Sequence, residues 1–298
     1  MKKIKQWNEG AHAIISATFA LSFSSPPPES VVVSLLNLHP KLSAKYPRKQ
    51  ETKGIFVGVD AAKIETQDYR PDFGGGTRTG FIFDSLHPNG EVQRSVALSP
   101  DSIAITRQDY QRWDQTWSET REVLSLMLPV LMKYVGITSI HLHFLDRFAV
   151  FEKISDFSAK DVCRSDSRFL PSNVFDARDL WHNNHGFFEY PAQPAEHQLL
   201  NVMEAKLMKA EENNRHPDAQ FWFDIQIAHR VNHGTKEAAG EVRVINSVDE
   251  LLGPGNNGNG LLDAYMIEMH NRNKWLLSNV ITDELCDLIK LDRPKKAK

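Results

Sequence analysis

The feature that most constrains this fold is a long amphipathic segment followed at once by a long alternating one. From Tyr110 to Tyr134, aromatic and apolar side chains recur at three- and four-residue steps, which puts them on one face of a helix. The helix signal stops at Gly136, and residues 137–148 (ITSIHLHFLDRF) alternate as a half-buried strand does. We therefore expect the helix to pack across a sheet that contains this strand, with Trp113 and Trp117 buried between them.

Strand and helix signals on both sides of this unit predict the fold class. Residues 11–23 alternate as a first strand, which we prefer to a signal peptide because no cleavage site follows. An Asn89-Gly90 turn joins two alternating stretches into a hairpin, and residues 220–230 form half of a second one. A second long helix follows Gly260. This order predicts an α+β protein with two structurally related halves, each a mostly antiparallel sheet packed by a long helix.

The two halves are predicted to meet in an irregular middle segment. Residues 1–154 form the N-terminal half and residues 195–298 the C-terminal half. Residues 155–194 contain many Ser, Asp, Asn and Pro residues, which indicates a junction without regular structure. Residues 196–209 favour a helix by composition, but their place before an alternating stretch favours the partner strand of the second hairpin. Residues 54–59 are predicted to add a strand to the first half.

Composition narrows the possible classes of function. The formal net charge is −3, whereas nucleic-acid-binding proteins usually have a net positive charge. A local basic patch remains possible. Cys163 and Cys286 lie far apart without a CxxC partner, so we expect neither a disulfide framework nor a cysteine zinc site. A cytoplasmic location fits this cysteine usage. No apolar run reaches the ~18 residues of a membrane span, so we expect no membrane association.

The chain carries no catalytic or cofactor-binding signature. Gly74-Gly-Gly76 and the stretch from Gly253 to Gly260 could each cradle a phosphate, but neither matches a P-loop or a dinucleotide-binding motif. The second stretch is more typical of a flexible connector. There is also no G-x-S-x-G motif and no defensible Ser-His-Asp pattern. We therefore expect no cofactor and favour a binding protein over an enzyme.

Twelve histidines leave a metal site open as an alternative. His141 and His143 lie two residues apart and share one face of the predicted strand, while His182 and His185 lie in the irregular segment. Together they could hold the metal of a hydrolase or nuclease. The H-x-H and H-x-x-H spacings have low specificity, and H-E-x-x-H is absent. The favoured interpretation is polar sheet and loop histidines without a metal.

A charged pair at the end of the predicted strand gives the sharper site hypothesis. Asp146 and Arg147 are neighbours on a strand, so they point to opposite faces and do not bond to each other. A charge on the core side needs a partner, which favours a structural salt bridge. Alternatively, the Arg147 guanidinium grips an anionic ligand. We expect any functional surface where the junction meets the sheet, near Arg147, Trp181, His182 and His185.

Several short motifs resemble those of a sporadically distributed family of bacterial proteins with no assigned reaction. They span nearly the whole chain and comprise His12-Ala-Ile14, Tyr110-x-x-Trp113, Asp146-Arg147-Phe148, Leu180-Trp-His182, Asp224, Glu268-Met-His270 and Ile281-Thr-Asp283. At the third motif the family more often has Asn-Arg-Ile. The resemblance carries over no catalytic residue. The patchy occurrence of the family, like that of genes in defence neighbourhoods, implies a role in a defence or toxin-control operon.

These observations favour a non-enzymatic, cytoplasmic binding or regulatory protein that belongs to such an operon. Its expected partner is another protein or a second copy of the chain. The alternative is a metal-assisted hydrolase or nuclease that uses His141, His143, His182 and His185.

Overall fold

One antiparallel sheet organises the computed structural model, which describes residues 4–8, 12–54, 76–211, 215–233, 243–256 and 260–292. Hydrogen bonding within these residues orders the strands β3-β4-β5-β6-β2-β7-β10-β9-β8, and β1 pairs with the end of β7. The strands are β1 Ile4–Gln6, β2 Ile14–Phe23, β3 Arg48–Gly54, β4 Thr77–Leu86, β5 Val92–Leu98, β6 Ser102–Arg107, β7 Ile137–Val150, β8 Trp181–Glu189, β9 His197–Lys209 and β10 Phe221–His233.

Helices connect these strands. They are α1 Glu29–Leu36, α2 His39–Leu42, α3 Trp113–Leu131, α4 Val248–Leu252, α5 Leu261–Val280 and α6 Asp283–Leu288. Side-chain caps begin two short helices: Ser247 accepts a hydrogen bond from the Glu250 amide in α4, and Thr282 accepts one from the Leu285 amide in α6. Among the helices of the described residues, none combines the length and the apolar character needed to cross a membrane.

The 14-residue strand β7 decides which side chains face each side of the sheet. It pairs with β2 along one edge and with β10 along the other. Even-numbered residues such as Phe144 and Phe148 are fully buried on the side that the helices cover, whereas His143 and Arg147 are partly exposed on the other side. The alternation predicted from the sequence is therefore confirmed.

Helix α3 packs on this sheet through its aromatic face, as predicted. The Trp117 ring stacks on Phe19 of β2 with 5.8 Å between the centroids, and the Trp113 ring lies 6.4 Å from Phe144 of β7. Trp117 is only 7% exposed, and Trp113 is partly buried against the same apolar cluster. These contacts hold the start of α3 over the middle of the sheet.

A shared carboxylate joins α3 to α5. Asp263, in the first turn of α5, accepts hydrogen bonds from Trp117 Nε1 at 3.0 Å and from Arg121 Nε at 3.1 Å. Farther along α5, the His270 ring stacks on Trp113 with 4.0 Å between centroids and 3° between planes. The two long helices are therefore in contact at two points above the sheet.

Some sequence predictions differ from this architecture. The α+β class is confirmed, but one sheet runs through both predicted halves instead of a separate sheet in each. Residues 181–189, which the sequence assigns to the irregular junction, form the edge strand β8. Polar side chains fill the four consecutive positions 182–185 on both faces, so no apolar alternation marks the strand. Residues 197–209 form the strand partner of β10, so the hairpin prediction is confirmed. The strand predicted at 54–59 lies outside the described residues beyond Gly54.

The packing of α3 yields a stability prediction. Replacing Trp117 by Ala removes a buried ring from the helix–sheet contact and one hydrogen bond to Asp263, so the free energy of unfolding should fall by about 3–5 kcal/mol. Urea denaturation followed by circular dichroism measures this change. The control is Tyr134→Ala, which alters a side chain that is 61% exposed and should change stability by less than about 0.5 kcal/mol. Equal effects of the two substitutions would contradict the packing described.

Candidate functional site

Two of the four predicted site residues lie on the sheet face opposite the helices. The strand register places His182 beside Lys206, Lys206 beside Asp224, and Asp224 beside Arg147. His182 and Arg147 therefore share one row but are three strand spacings apart, roughly 14 Å. The His182 side chain is 58% exposed and has Glu204 at 3.4 Å.

The other two predicted site residues lie on the helix side of β8. The Trp181 ring lies 5.9 Å from Phe223, and the His185 ring lies 5.7 Å from Phe169. Both contacts belong to the apolar packing beneath the middle segment and α5. The structure therefore does not bring the four residues together, because the alternation of a strand separates residues that a loop could have gathered.

Arg147 is held by contacts within the protein. Its Nε and Nη2 atoms donate hydrogen bonds of 2.7 Å each to the two carboxylate oxygens of Asp224. The guanidinium also lies over the rings of Trp7 and Trp222, at 5.5 and 5.6 Å from their centroids. Asp224 is almost fully buried, so the pair is a structural salt bridge of the kind the sequence favours.

The histidines of the metal alternative are also divided between the faces. His141 and His143 lie on the face opposite the helices, where His141 Nε2 is 3.0 Å from Ser22 Oγ and 2.8 Å from Ser139 Oγ. Burial, together with the nearby Arg230 charge, lowers the pKa of His141 to about 4. His185 points the other way. Within the described ranges, no group of three or more His, Cys, Asp or Glu side chains is placed to hold a metal ion.

A cavity of about 610 Å³ lies between the start of α3, the second half of α5, the segment that follows α6 and the sheet. The wall is aromatic and apolar at Trp113 and Leu277. Its polar side chains come from separate parts of the chain and include His12, Tyr110, Asp146, His270 and Asn273. A mostly apolar cavity with a few convergent polar groups is the usual form of a small-molecule site.

Asp146 is the unusual group in this cavity. It is 1% exposed, and its Oδ2 atom has no hydrogen-bond partner among the described residues. Burial and the nearby Asp224 charge raise the pKa of this carboxyl from the ordinary 3.8 to about 7. A buried carboxyl without a partner costs folding free energy, and such exceptions to the rules of stable folding are expected at functional sites.

One further side chain leaves a polar atom without a partner at this cavity. It is His270 Nδ1, which is buried and unbonded among the described residues. His12 instead bonds to the backbone at Ile14 and Tyr110, and Asn273 bonds to the side chain of His229. Burial, reinforced by the Arg112 charge, lowers the pKa of His12. Burial and the Lys274 charge lower the pKa of His270 to about 4, so both imidazoles are neutral at physiological pH. The arrangement can bind a polar molecule that supplies the missing hydrogen bonds.

A wider groove lies on the other side of α5, with a volume of about 980 Å³. Its main charged groups already have partners inside the protein. Arg272 pairs with Glu189 and lies 3.9 Å from the Trp275 ring centroid, and Glu268 lies 3.0 Å from His197. The smaller cavity is therefore the better candidate site.

Sequence reasoning chose Arg147 from the Asp146-Arg147 pair and missed the residues around Asp146. One signal could have found them. Among the motifs that carry the family resemblance, His12, Trp113, Asp146 and His270 come from four separate stretches, and all line this cavity. Scans against models of known protein families and a search of curated proteins find no match to the chain. The geometry alone therefore supports the site.

The carboxyl of Asp146 yields a prediction about stability and pH. It binds its proton more tightly in the folded chain than in the unfolded one, so the free energy of unfolding should fall as the pH rises from 3.8 to about 7. Asn cannot ionise. Asp146→Asn should therefore raise the free energy of unfolding by on the order of 4 kcal/mol near pH 8, with little effect near pH 4. Urea denaturation at both pH values measures this.

The matched control for this test is Asp114→Asn, which removes an exposed carboxylate at the rim of the same cavity. Because Asp114 lies in the first turn of α3, its loss should lower the free energy of unfolding by less than about 1 kcal/mol near pH 8, opposite in sign to Asp146→Asn. A loss of stability in Asp146→Asn near pH 8 would show that the charged form of Asp146 has a partner inside the protein.

The Arg147–Asp224 pair yields a prediction that separates a structural role from a binding role. Arg147→Ala leaves the buried Asp224 carboxylate without its partner and should lower the free energy of unfolding by about 3 kcal/mol. Replacing both residues, as Arg147→Met with Asp224→Leu, should recover most of this loss because no charge is then stranded. Thermal and urea denaturation measure both changes. Unchanged stability of Arg147→Ala would contradict the structural role and would leave ligand binding as the role of the Arg147 guanidinium.

Proposed function

We propose that the protein is a non-enzymatic binding protein that holds a small molecule in the cavity between α3, α5 and the sheet. One observation carries this proposal: the Asp146 carboxyl is buried at the cavity wall, and its Oδ2 atom has no hydrogen-bond partner among the described residues. A ligand that donates a hydrogen bond to this atom would offset the desolvation free energy of the buried carboxyl and so stabilise the folded chain. The cavity volume of about 610 Å³ suits a molecule of ordinary metabolite size.

The wall of the cavity favours binding over catalysis. Covalent catalysis commonly uses a nucleophile that is hydrogen-bonded to a base. The described side chains around the cavity include no Ser, Thr or Cys, and none of the hydrogen bonds described there joins Asp146 to His12 or His270. The metal-assisted hydrolase or nuclease proposed from His141, His143, His182 and His185 has no comparable observation in its favour.

The position of the cavity supports a regulatory role. Helix α3 belongs to the N-terminal half predicted from the sequence and α5 to the C-terminal half, so the ligand would bridge the two. If the halves are structurally related, each contributes one equivalent helix to the site. In this proposal, ligand binding alters association with a protein partner or a second copy, in the cytoplasm and within a defence or toxin-control operon. The two free, buried cysteines, Cys163 and Cys286, fit that location.

A ligand screen with a blocked cavity tests the proposal. The purified protein is screened by thermal shift against cationic, neutral and anionic compounds up to the size of a nucleoside. We expect at least one class to raise the melting temperature, since binding to the folded state stabilises it. Ile267→Trp should abolish this shift, because Ile267 is an exposed residue at the cavity mouth and a larger ring obstructs entry. Ile267 also borders the wider groove, so Gln111→Trp, at an exposed residue that lines the smaller cavity and not the groove, should abolish the shift as well.

The matched control is Ser118→Trp, which adds the same ring at an exposed position of α3 away from the cavity lining. It should leave the ligand-induced shift unchanged. The proposal is wrong if no class of compound shifts the melting temperature, or if every active compound acts equally on Ile267→Trp and on the unmodified protein.

A further inference from the structure

The unbonded polar atoms of the cavity call for a ligand that donates hydrogen bonds. Asp146 Oδ2 can only accept when the carboxyl is ionised. His270 Nδ1 belongs to a neutral imidazole and accepts when the ring proton is on Nε2. The two atoms together therefore match a ligand that carries N–H groups.

The distribution of charge around the cavity favours a cation over a neutral donor. Three acidic and three basic side chains line it: Asp114, Asp146, Asp292, Arg112, Lys274 and Lys290. Of these, Asp146 is buried, whereas Arg112 and Lys290 are exposed at the rim and Lys274 pairs with Asp292 at 3.7 Å. A ligand inside the cavity therefore meets one buried charge, the Asp146 carboxylate. A buried carboxylate is most strongly stabilised by a cation that also donates hydrogen bonds.

The shape and chemistry of the wall favour a flat group. The Trp113 and Tyr110 rings line the cavity. Trp113 already stacks on the His270 imidazole and on Trp117, so Tyr110 supplies the aromatic contact for a ligand. Aromatic faces attract planar, delocalised cations such as amidinium and guanidinium groups. A planar group can also present two N–H donors at once to a carboxylate.

We propose that the cavity binds a flat organic cation, such as an amidinium, a guanidinium or a protonated amino-heterocycle, through an ion pair with Asp146. This inference rests on the proposed function and adds the charge and shape of the ligand. Asp146 supplies the counter-charge, the His270 imidazole accepts a further N–H group, and the Tyr110 ring at the cavity wall contacts the cation.

Three probes of nearly equal shape and different charge test this inference. Benzamidine is a cation, benzamide is neutral and benzoate is an anion, and isothermal titration calorimetry near pH 8 measures their dissociation constants. We expect benzamidine to bind at least about tenfold more tightly than benzamide, with benzoate weakest. Asp146→Asn should weaken benzamidine at least about tenfold and leave benzamide nearly unchanged, while its melting curve reports that it is folded.

The outcomes distinguish this inference from the proposed function. If benzamide or benzoate binds as tightly as benzamidine, and Ile267→Trp abolishes that binding, the cavity binds ligands but the inference about charge is wrong. It is also wrong if benzamidine binds Asp146→Asn as tightly as the unmodified protein. If none of the three probes binds, the inference fails, and the proposed function fails with it only when the broader screen also yields no ligand. Ser118→Trp should retain the full preference for benzamidine.

Discussion

The alternation of side chains along β7 is the constraint on which the rest of the structure depends. Since β7 pairs with a neighbour along both edges, each of its residues is committed to one face of the sheet. Adjacent charges are thereby separated: Arg147 faces away from the helices and pairs with Asp224, while Asp146 faces the helices. A shift of register by one residue would bury the guanidinium and expose the carboxyl, so the cavity chemistry and the salt bridge depend on the same pairing.

The helix layer determines what Asp146 meets. Trp117 and Arg121 bind the Asp263 carboxylate, and Trp113 stacks on His270, so α3 and α5 are joined to each other as well as to the sheet. The described helices leave Asp146 facing a cavity instead of a basic partner. The Asp263 carboxylate lies on the same side of the sheet and has two side-chain donors. The helix layer therefore supplies donors to one carboxylate and, among the described residues, none to Asp146 Oδ2.

Much of the fold could be predicted because it depends on local periodicity. Strands β2, β7 and β10 and helix α3 follow from apolar side chains at periods near two and near 3.6. Strand β8 was missed because His-Asn-Asn-His fills the consecutive positions 182–185, and Asn in particular is typical of turns. The single sheet was missed because β7 and β10, which pair along almost their full length, lie in what the sequence presents as separate halves.

The candidate site could be predicted only in part, and for a different reason. The Asp146-Arg147 pair stood out as charge within an apolar strand, but periodicity cannot tell which of two adjacent charges finds a partner. That depends on Asp224 in β10, which is far away in sequence. His12, Trp113 and His270 meet Asp146 only through the packing of α3 and α5 over the sheet, which a single sequence does not report.

The central claim is that the Asp146 carboxyl is buried and that its Oδ2 atom has no hydrogen-bond partner among the described residues. A direct titration of this carboxyl tests the claim. Carbon-13 NMR of the aspartate side-chain carboxyl carbons, with the Asp146 signal assigned by its loss in Asp146→Asn, follows the protonation of this one group. The account predicts a titration midpoint near pH 7, because burial and the Asp224 charge raise the pKa to about 7. A midpoint at or below the ordinary value of 3.8 would contradict it, since the carboxylate would then have a stabilising partner within the protein.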